Sequence, residues 1–384
     1  MTADHVDLFA GAGGWDIAAR ALGFDPVGIE LDETAVATRR AASLPTIHGD
    51  VAALEPGGFA PCEGVIASPP CPTFSASGNG AGALDMPEIE ECAAWLAKGH
   101  DRRGEIRPNL ADARSLLVVE PLRWALALEP RWVALEQVPS VLPFWRQVAE
   151  LLEERGYHTW AGKVNAADYG VPQTRERAIL LAHRDRTIVP PEPTHADPRR
   201  GLPMFAAPWV SMGDAVGWPD EDLIGFPRLN DRDSGGAYRE RDRRPATLPA
   251  FNLTEKARSW TRLHARGNTK GGTRPDGLER GLDEPAFTLT SRSDQWRWRS
   301  NRRANATERR LDEPAPTITG GHDHQDRAWT NGEESIPVTL EEAAALQTFP
   351  VGYPWQGSRT AGFRQVGNAV PPLLAYALLA HLVD

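Results

Sequence analysis

Residues 64–78 read Gly-Val-Ile-Ala-Ser-Pro-Pro-Cys-Pro-Thr-Phe-Ser-Ala-Ser-Gly. Residues 64–67 are an apolar run the length of a buried strand. Pro69 and Pro70 end it, because neither can donate a ladder hydrogen bond. Cys71 therefore sits at the mouth of a strand end, and the small, Gly-rich residues 75–82 read as a loop able to move. A thiol on a rigid strand end with a mobile flap behind it is one way to present a nucleophile. A buried structural cysteine on a turn is the other reading. Glu136 lies near the end of a second apolar run, residues 131–138, at the same edge. A partly desolvated carboxyl there is a candidate acid; it is equally a candidate ion-pair partner for an arginine. Arg175 and Arg177, in Gln173-Thr174-Arg175-Glu176-Arg177, alternate onto one face before a strand and suit a carbonyl oxygen or a phosphate. The plainer reading is a surface ion pair with Glu176 or another acid.

Those residues need strands to hold them. Residues 6–10 form a short apolar strand running into Gly11-Ala12-Gly13-Gly14, and residues 15–22 follow with helical spacing. Strand, glycine turn and helix open a nucleotide-binding α/β unit, with backbone N–H groups free at the helix start. A second strand, residues 26–31, carries Glu30, an acid at an offset suited to ribose hydroxyls. A third, residues 46–51, carries Asp50, which can accept from an adenine amino group. Each acid also suits a helix cap or loop. Residues 79–113 show little periodicity and read as an insertion over the site. Residues 112–127 and 144–155 read as helices, and residues 158–165 and 178–182 as further strands. Successive strand tips bearing glycine or polar residues define the carboxyl edge at which open α/β sheets bind ligands.

The bulk composition is that of a globular protein: 41% apolar and 24% charged over 384 residues. No apolar run approaches the ~20 residues needed to span a bilayer, and no membrane association is expected. The three cysteines, Cys62, Cys71 and Cys92, form neither a disulfide framework nor a metal-binding spacing. A reducing cytoplasm fits that usage, and the acidic N-terminus lacks a signal-peptide pattern.

The net charge of −10 argues against a polyanionic partner, but its distribution argues for one. Residues 228–310 hold 20 basic and 11 acidic side chains, leaving 22 against 41 in the remainder. This segment is a candidate electrostatic footprint for nucleic acid, or simply a solvated charged face. It follows a proline-rich stretch, residues 190–203, that reads as a linker. Pro245-Ala246-Thr247-Leu248 recurs in similar form from Pro285 and again from Pro314. Each copy reads as an edge strand followed by a loop that holds base-competent side chains, among them Arg258 in the first and Arg292, Gln295, Arg297 and Arg299 in the second. Chance recurrence of a strand-entry sequence is the other reading. After residue 337 the texture is globular again, with a helix over 340–349 and a terminal apolar helix over 373–383 that must pack on the first half of the chain.

Taken in order, these stretches resemble the DNA (cytosine-5) methyltransferase family over nearly the whole chain. Asp7-Leu8-Phe9-Ala10-Gly11-Ala12-Gly13-Gly14 resembles the family's first motif, Ser68-Pro69-Pro70-Cys71 its Pro-Cys motif, and Glu136-Gln137-Val138 its Glu-Asn-Val motif. Residues 173–177 match Gln-x-Arg-x-Arg, and residues 339–350 and 367–372 resemble the last two motifs. The resemblance implies a Rossmann-like α/β sheet of the S-adenosylmethionine-dependent kind with a smaller, irregular, β-rich target-recognition domain. The expected division is 1–185 for cofactor and catalysis, 186–334 for target recognition with the repeated units, and 335–384 for a return that completes the first domain. It implies transfer of a methyl group to C5 of a flipped-out cytosine in a specific sequence of double-stranded DNA, through a Cys71–C6 adduct, with Glu136 at N3 and Arg175 or Arg177 at O2. Cofactor contacts are implied for Phe9, Gly11, Gly13, Gly14, Glu30, Leu31, Asp50, Val51, Pro70, Asn368 and Val370, with no metal. The expected setting is a cytoplasmic monomer of a prokaryote or phage, with room for a cognate restriction endonuclease acting on the same site.

Two departures stand beside the chemistry. Gln137 replaces the family's asparagine, and a methylene added at a packed hydrogen-bonding site shifts its geometry. Pro72 stands where glutamine is common and removes a donor next to Cys71. The alternatives on the same fold are an RNA cytosine-5 methyltransferase and an inactive DNA-binding regulator; a nicotinamide-dependent oxidoreductase would leave Cys71 with Glu136 unexplained.

Overall fold

The computed structural model describes residues 4–70, 72–74, 80–216, 261–262, 297–300, 308–310, 327–330, 335–337 and 339–383. The central strands are mostly apolar and buried, as a sheet covered on both faces requires, whereas the edge strands over Thr46–His48 and His158–Asn165 are more polar and partly exposed. The first half of the chain runs β1 (His5–Leu8), α1 (Gly14–Ala21), β2 (Val27–Glu30), α2 (Glu33–Ala41), β3 (Thr46–His48), β4 (Gly64–Ala67), α3 (Ala81–Ala97), α4 (Arg103–Ile106), α5 (Glu120–Leu128), β5 (Trp132–Gln137), α6 (Leu142–Glu153), β6 (His158–Asn165) and β7 (Glu176–His183). Then come β8 (His195–Ala196), β9 (Ala207–Pro208), α7 (Met212–Val216), β10 (Thr261–Arg262), β11 (Arg297–Ser300), β12 (Glu308–Arg310), β13 (Arg327–Thr330) and β14 (Ser335–Pro337). The chain closes with α8 (Leu340–Leu346), α9 (Arg359–Asn368) and α10 (Pro372–Val383).

Seven strands form one sheet in the order β3-β2-β1-β4-β5-β7-β6. The first five are parallel, and β7 runs antiparallel to both β5 and β6. The reversal decides the site. The carboxyl ends of β1 to β5 share an edge with the amino end of β7, with Gln137 opposite Ala178. The order changes direction at β1 and β4, the switch point where such sheets open a crevice. One apolar cluster fills the α3, α5 and α6 side, with Trp124, Phe144 and Trp145 at its centre. The other fills the α1 and α10 side, with Ile66, Leu374 and Leu378. The interval Arg359–Val383 is long and apolar enough to cross a membrane, a length no single run in the sequence suggested, but its most apolar stretch is mostly buried within the fold. It is broken at Ala369–Pro371 into α9 and α10, and α10 packs on α1.

Two expectations shift, and one helix was not foreseen. Residues 79–113 are no irregular insertion: α3 spans 17 residues and buries Ile89, Cys92, Ala93 and Leu96 on one face. Pro87 and the glycines at 80 and 82 masked that spacing. The helix expected over 112–127 is two elements, a 3-10 turn over Ala113–Val119 and then α5, because Pro121 suits a first helical turn and not an interior. The charged helix α2 had no apolar period to reveal it; Asp32 caps it by accepting from Thr34 and Ala35 N–H.

A smaller five-stranded sheet has the order β10-β14-β13-β11-β12. The proline-opened strands expected at 245, 285 and 314 lie outside the described residues. A parallel pair, β8 with β9, falls in the stretch read as a linker.

Under the β1 turn lies a charged cluster. Asp16 of α1 and Arg39 of α2 form a two-pronged ion pair at 2.7 and 2.6 Å, both fully buried. Arg39 also donates to Ala10 O and Pro45 O, at 3.3 and 3.2 Å. Gly28 makes room for it, since a Cβ there would lie 1.8 Å from the guanidinium. Asp7 of β1 is fully buried nearby, with the Asp16 carboxylate as its close neighbour. Burial, with the negative charge of Asp16 adding to it, raises the Asp7 pKa well above the ordinary carboxylate value.

The folded state thus binds the Asp7 proton more tightly than the unfolded chain does, so Asp7 subtracts stability as pH rises from the ordinary carboxylate range toward its raised value. Asp7→Asn, which carries no charge, is expected to gain stability over the parent at pH 8 and to match it more closely at pH 5. Denaturant unfolding at the two pH values measures this; a larger gain at pH 5 contradicts it.

Candidate active site

The β1 strand ends because Phe9 turns left-handed, at φ 59°. A non-glycine residue held there carries strain, which clusters at ligand sites. Gly11 follows at φ 54°, and a Cβ on it would meet nothing within 4 Å. Gly13, at φ 99°, precedes the first turn of α1. Gly14 lies against the C-terminal return: a Cβ there would sit 2.0 Å from Val370 O. The first and last candidate segments are therefore in contact, and α1 starts with its N–H groups beside the turn.

The next two strand tips carry the acids. Glu30 accepts from Gly11 N–H at 2.7 Å through one oxygen, and from Leu31 and Asp32 N–H at 2.8 and 2.7 Å through the other. It therefore ties the β1 turn to the β2 turn while keeping lone pairs for a further donor. Leu31 is 62% exposed, an apolar side chain open to a flat ring. Asp50 accepts from Ala52 N–H at 2.9 Å through Oδ1 alone, so both the loop role and a spare oxygen are present. Val51 is buried, Asn368 is exposed at the end of α9, and Pro70 is exposed at the tip of β4. Open space over Gly11, three polar strand tips and an exposed Leu31 fit a nucleoside-bearing ligand with a charged tail.

The other half of the edge holds the candidate chemistry. Cys71 and residues 75–79 lie outside the described residues, but their anchors do not. Trp15 Nε1 donates to Ser68 Oγ at 2.9 Å. Gln137 Nε2 donates to Pro69 O at 2.7 Å, and Gln137 Oε1 accepts from Val138 N–H at 2.5 Å. The added methylene of Gln137 is thus used to reach the backbone two residues before Cys71. Ser140 Oγ donates to Phe74 O at 2.8 Å, and Gly82 N–H donates to Thr73 O at 2.9 Å, holding the segment after Pro72. Cys62 and Cys92 are buried, and burial pushes each thiol up to about 11, so both are inert at neutral pH.

Glu136 is 6% exposed and forms an ion pair with Arg177, Nε to Oε1 at 2.7 Å. Of the two sequence readings for Glu136, partnership with an arginine is therefore present. Arg175 and Arg177 do not act alike. Arg177 turns to Glu136, whereas Arg175 donates to Gly367 O at 3.2 Å and Ala369 O at 3.1 Å, pinning the C-terminal return to the site. Neither forms a surface pair, being 2% and 6% exposed.

Several contributors escaped the sequence reading. Asp16 and Arg39 hold the β1 turn from beneath, and a charge on the buried face of α1 was the available signal. Tyr353 bonds to Ala12 O, and Arg364 pairs with Asp32, so residues 350–364 brace the first two strand tips from the far end of the chain.

In the smaller sheet, Arg297 and Arg299 occupy alternate positions of β11, opposite Arg310 and Glu308 of β12. Arg258, Arg292 and Gln295 lie outside the described residues.

The strand order, the reversed β7 and the glycine turn beside two strand-tip acids define the S-adenosylmethionine-dependent methyltransferase fold. The profile of the family described as C-5 cytosine-specific DNA methylase matches residues 3–384. The chain belongs to that family and is a DNA cytosine-5 methyltransferase. Its relatives include the type II methyltransferase M.XorII of Xanthomonas oryzae pv. oryzae, 27% identical over 97% of this chain and 82% of the relative. Another is the type II methyltransferase M1.HphI of Haemophilus parahaemolyticus, 26% identical over 98% of this chain and 86% of its own length. The crystal structure of the S. pombe Dnmt2 methyltransferase shares the fold, with a TM-score of 0.52, 16% identity and coverage of 99% of this chain and 97% of that one.

Gln137→Leu leaves Pro69 O without its donor, a loss of about 1–3 kcal/mol where the group stays buried. Methyl transfer is expected to slow by roughly tenfold or more while cofactor affinity holds within about twofold. Single-turnover kinetics with equilibrium cofactor binding separates the two; an unchanged rate removes Gln137 from the positioning of this loop.

Proposed function

We propose that the enzyme methylates C5 of a cytosine turned out of a specific double-stranded DNA sequence, through a transient bond from Cys71 to C6. The observation that carries this reading is the buried Glu136–Arg177 pair, which shares an edge with the Pro69–Pro70 turn leading to Cys71. A base must leave its stack to reach a group so placed, because the ring atoms involved are covered in the duplex.

Cys71 as thiolate adds to C6, and the C5–C6 double bond becomes an enamine nucleophilic at C5. Glu136, oriented by Arg177 through Oε1, takes up a proton as the base enters and passes it to N3, which stabilises this adduct. S-adenosylmethionine, when bound, supplies an electrophilic methyl group on a sulfonium. C5 would take that methyl, leaving the thioether S-adenosylhomocysteine; a water would accept the C5 proton, the C5–C6 double bond would re-form with expulsion of Cys71 as thiolate, and the N3 proton would return to Glu136. Of Arg175 and Arg177, the second, beside Glu136, is the one placed to hold O2 and to favour the anionic thiol, while Arg175 holds Gly367 O and Ala369 O. Gly11 leaves the backbone open to the methionine end, Gly13 and Gly14 hold that turn by packing on Leu44 and Val370, Glu30 takes the ribose, Asp50 the adenine amino group and Leu31 the ring face. Phe9, Val51, Pro70, Asn368 and Val370 line the remainder.

Reading of the duplex is assigned to the segment that holds β10–β14, with Arg297 and Arg299 as candidates for guanine edges and phosphates. A relative named a type II methyltransferase makes a restriction endonuclease acting on the same sequence a natural partner to look for, and a monomer suffices for the chemistry.

Bisulfite sequencing of DNA from cells expressing the protein is expected to show protected cytosines in one short sequence context. Cys71→Ala is expected to abolish the protection and to lower tritium transfer from labelled cofactor roughly a thousandfold or more. Unchanged transfer sinks the mechanism, and methyl groups found in tRNA but not in duplex DNA sink the substrate assignment.

Arg297→Ala with Arg299→Ala is expected to weaken duplex binding by about tenfold or more and to relax the preferred context. Cofactor affinity is expected to stay as it was; an equal fall in cofactor binding assigns these residues to the core.

A further inference from the structure

The turn that carries Asp50 is gripped from behind by a charged network that none of the strand-tip motifs includes. Its amides bond inward to Asp50: Ala52 N–H to Oδ1, and Ala53 and Leu54 N–H to Asp50 O at 3.0 and 3.1 Å. Its carbonyls bond outward, to residues some 50 to 70 positions later. Arg123 of α5 donates through Nη2 to Val51 O at 2.8 Å and Leu54 O at 3.0 Å. Trp124 Nε1 adds a contact to Val51 O at 3.3 Å. Arg103 of α4 donates to Ala52 O at 3.2 Å. Glu120 joins the two arginines, accepting from Arg103 at 2.6 Å and from Arg123 Nε at 2.7 Å. The Glu120 side chain is 2% exposed and that of Arg123 9%.

Such a network is an expensive way to add stability. Buried ion pairs lose hydration that a well-packed apolar replacement would not have to give up, so their retention points to fixing geometry. The geometry fixed here is a turn with one spare carboxylate oxygen. A cleft of about 270 Å³ lies on the network's own side of the turn, lined by Ala52, Arg103, Arg107, Leu116, Leu117 and Glu120 among others and not by Asp50. Arg123 suits the task because its planar fork serves the carboxylate and the two carbonyls from fixed directions, which a lysine cannot do.

The geometry points to Arg123 and Arg103, joined through Glu120, as positioning residues that hold the Asp50 turn in register for the adenine amino group of the cofactor. This rests on the assignment of Asp50 to that amino group. The network acts on the turn and touches neither the methyl group nor the cytosine, so its removal bears on cofactor binding and adenine discrimination and spares the chemical step.

The experiment compares the full-length protein with R123M and E120Q, using S-adenosylhomocysteine and its analogue with purine in place of adenine. The wild type is expected to bind the adenine compound more tightly by about tenfold. R123M is expected to lose about tenfold in affinity for S-adenosylhomocysteine, to bind the two compounds alike, and to keep kcat at saturating cofactor within about twofold. In the cofactor-free protein, hydrogen exchange at the amides of Ala52, Ala53 and Leu54 is expected to quicken in R123M. E120Q, which keeps the side-chain shape, carries the same readouts in weaker form should R123M not fold. A wild type that discriminates beside variants that discriminate equally overturns the positioning role alone. A wild type indifferent to the amino group overturns the assignment of Asp50, and the positioning role with it.

Discussion

The Asp16–Arg39 ion pair is the constraint on which the cofactor half of the molecule depends. Both side chains are fully buried, and the guanidinium spends its remaining donors on the Ala10 and Pro45 carbonyls and the Thr46 hydroxyl. It binds α1 to α2 and supports the turn between β1 and α1 at Ala10. Removing one partner of such a pair leaves an uncompensated buried charge, a loss of about 3–5 kcal/mol. Gly28 and the buried Asp7 both relate to it: one clears the space for Arg39, and the other lies within reach of the same charges.

The catalytic half depends on a topological fact instead. A strand after β5 that ran parallel would put residues 175–177 at the far end of the sheet, away from Glu136. Antiparallel β7 returns its amino end to the reactive edge, and Arg177 then meets Glu136 across the β5–β7 pair. The final helices complete both halves. Arg175 pins Gly367 and Ala369, Gly14 packs under Val370, and Tyr353 reaches Ala12, so a return from beyond the smaller sheet closes the site that the first strands open.

Much of this was legible because β2, β4 and β5 at the middle of the large sheet each carry a short, mostly apolar stretch that stops at a proline or a charge. The strands over residues 64–67 and 158–165 were located to the residue. Elements without such punctuation were not. α2 owes its place to Asp32 capping and to Arg39 reaching inward, and α3 hid its apolar stripe behind Pro87.

The amino-acid sequence by itself determined the class of sheet, the order of its chemical groups along one edge and the kinship to cytosine-5 methyltransferases, since apolar period and motif spacing are local properties of the chain. Tertiary structure alone decided which arginine serves which partner, how Gln137 replaces a shorter amide by reaching Pro69, and which distant carbonyls Arg39 and Arg123 hold. These are contacts between residues tens to hundreds of positions apart. A side chain's spacing in sequence says which face it lies on, but its partner is chosen by what the packed core brings opposite that face.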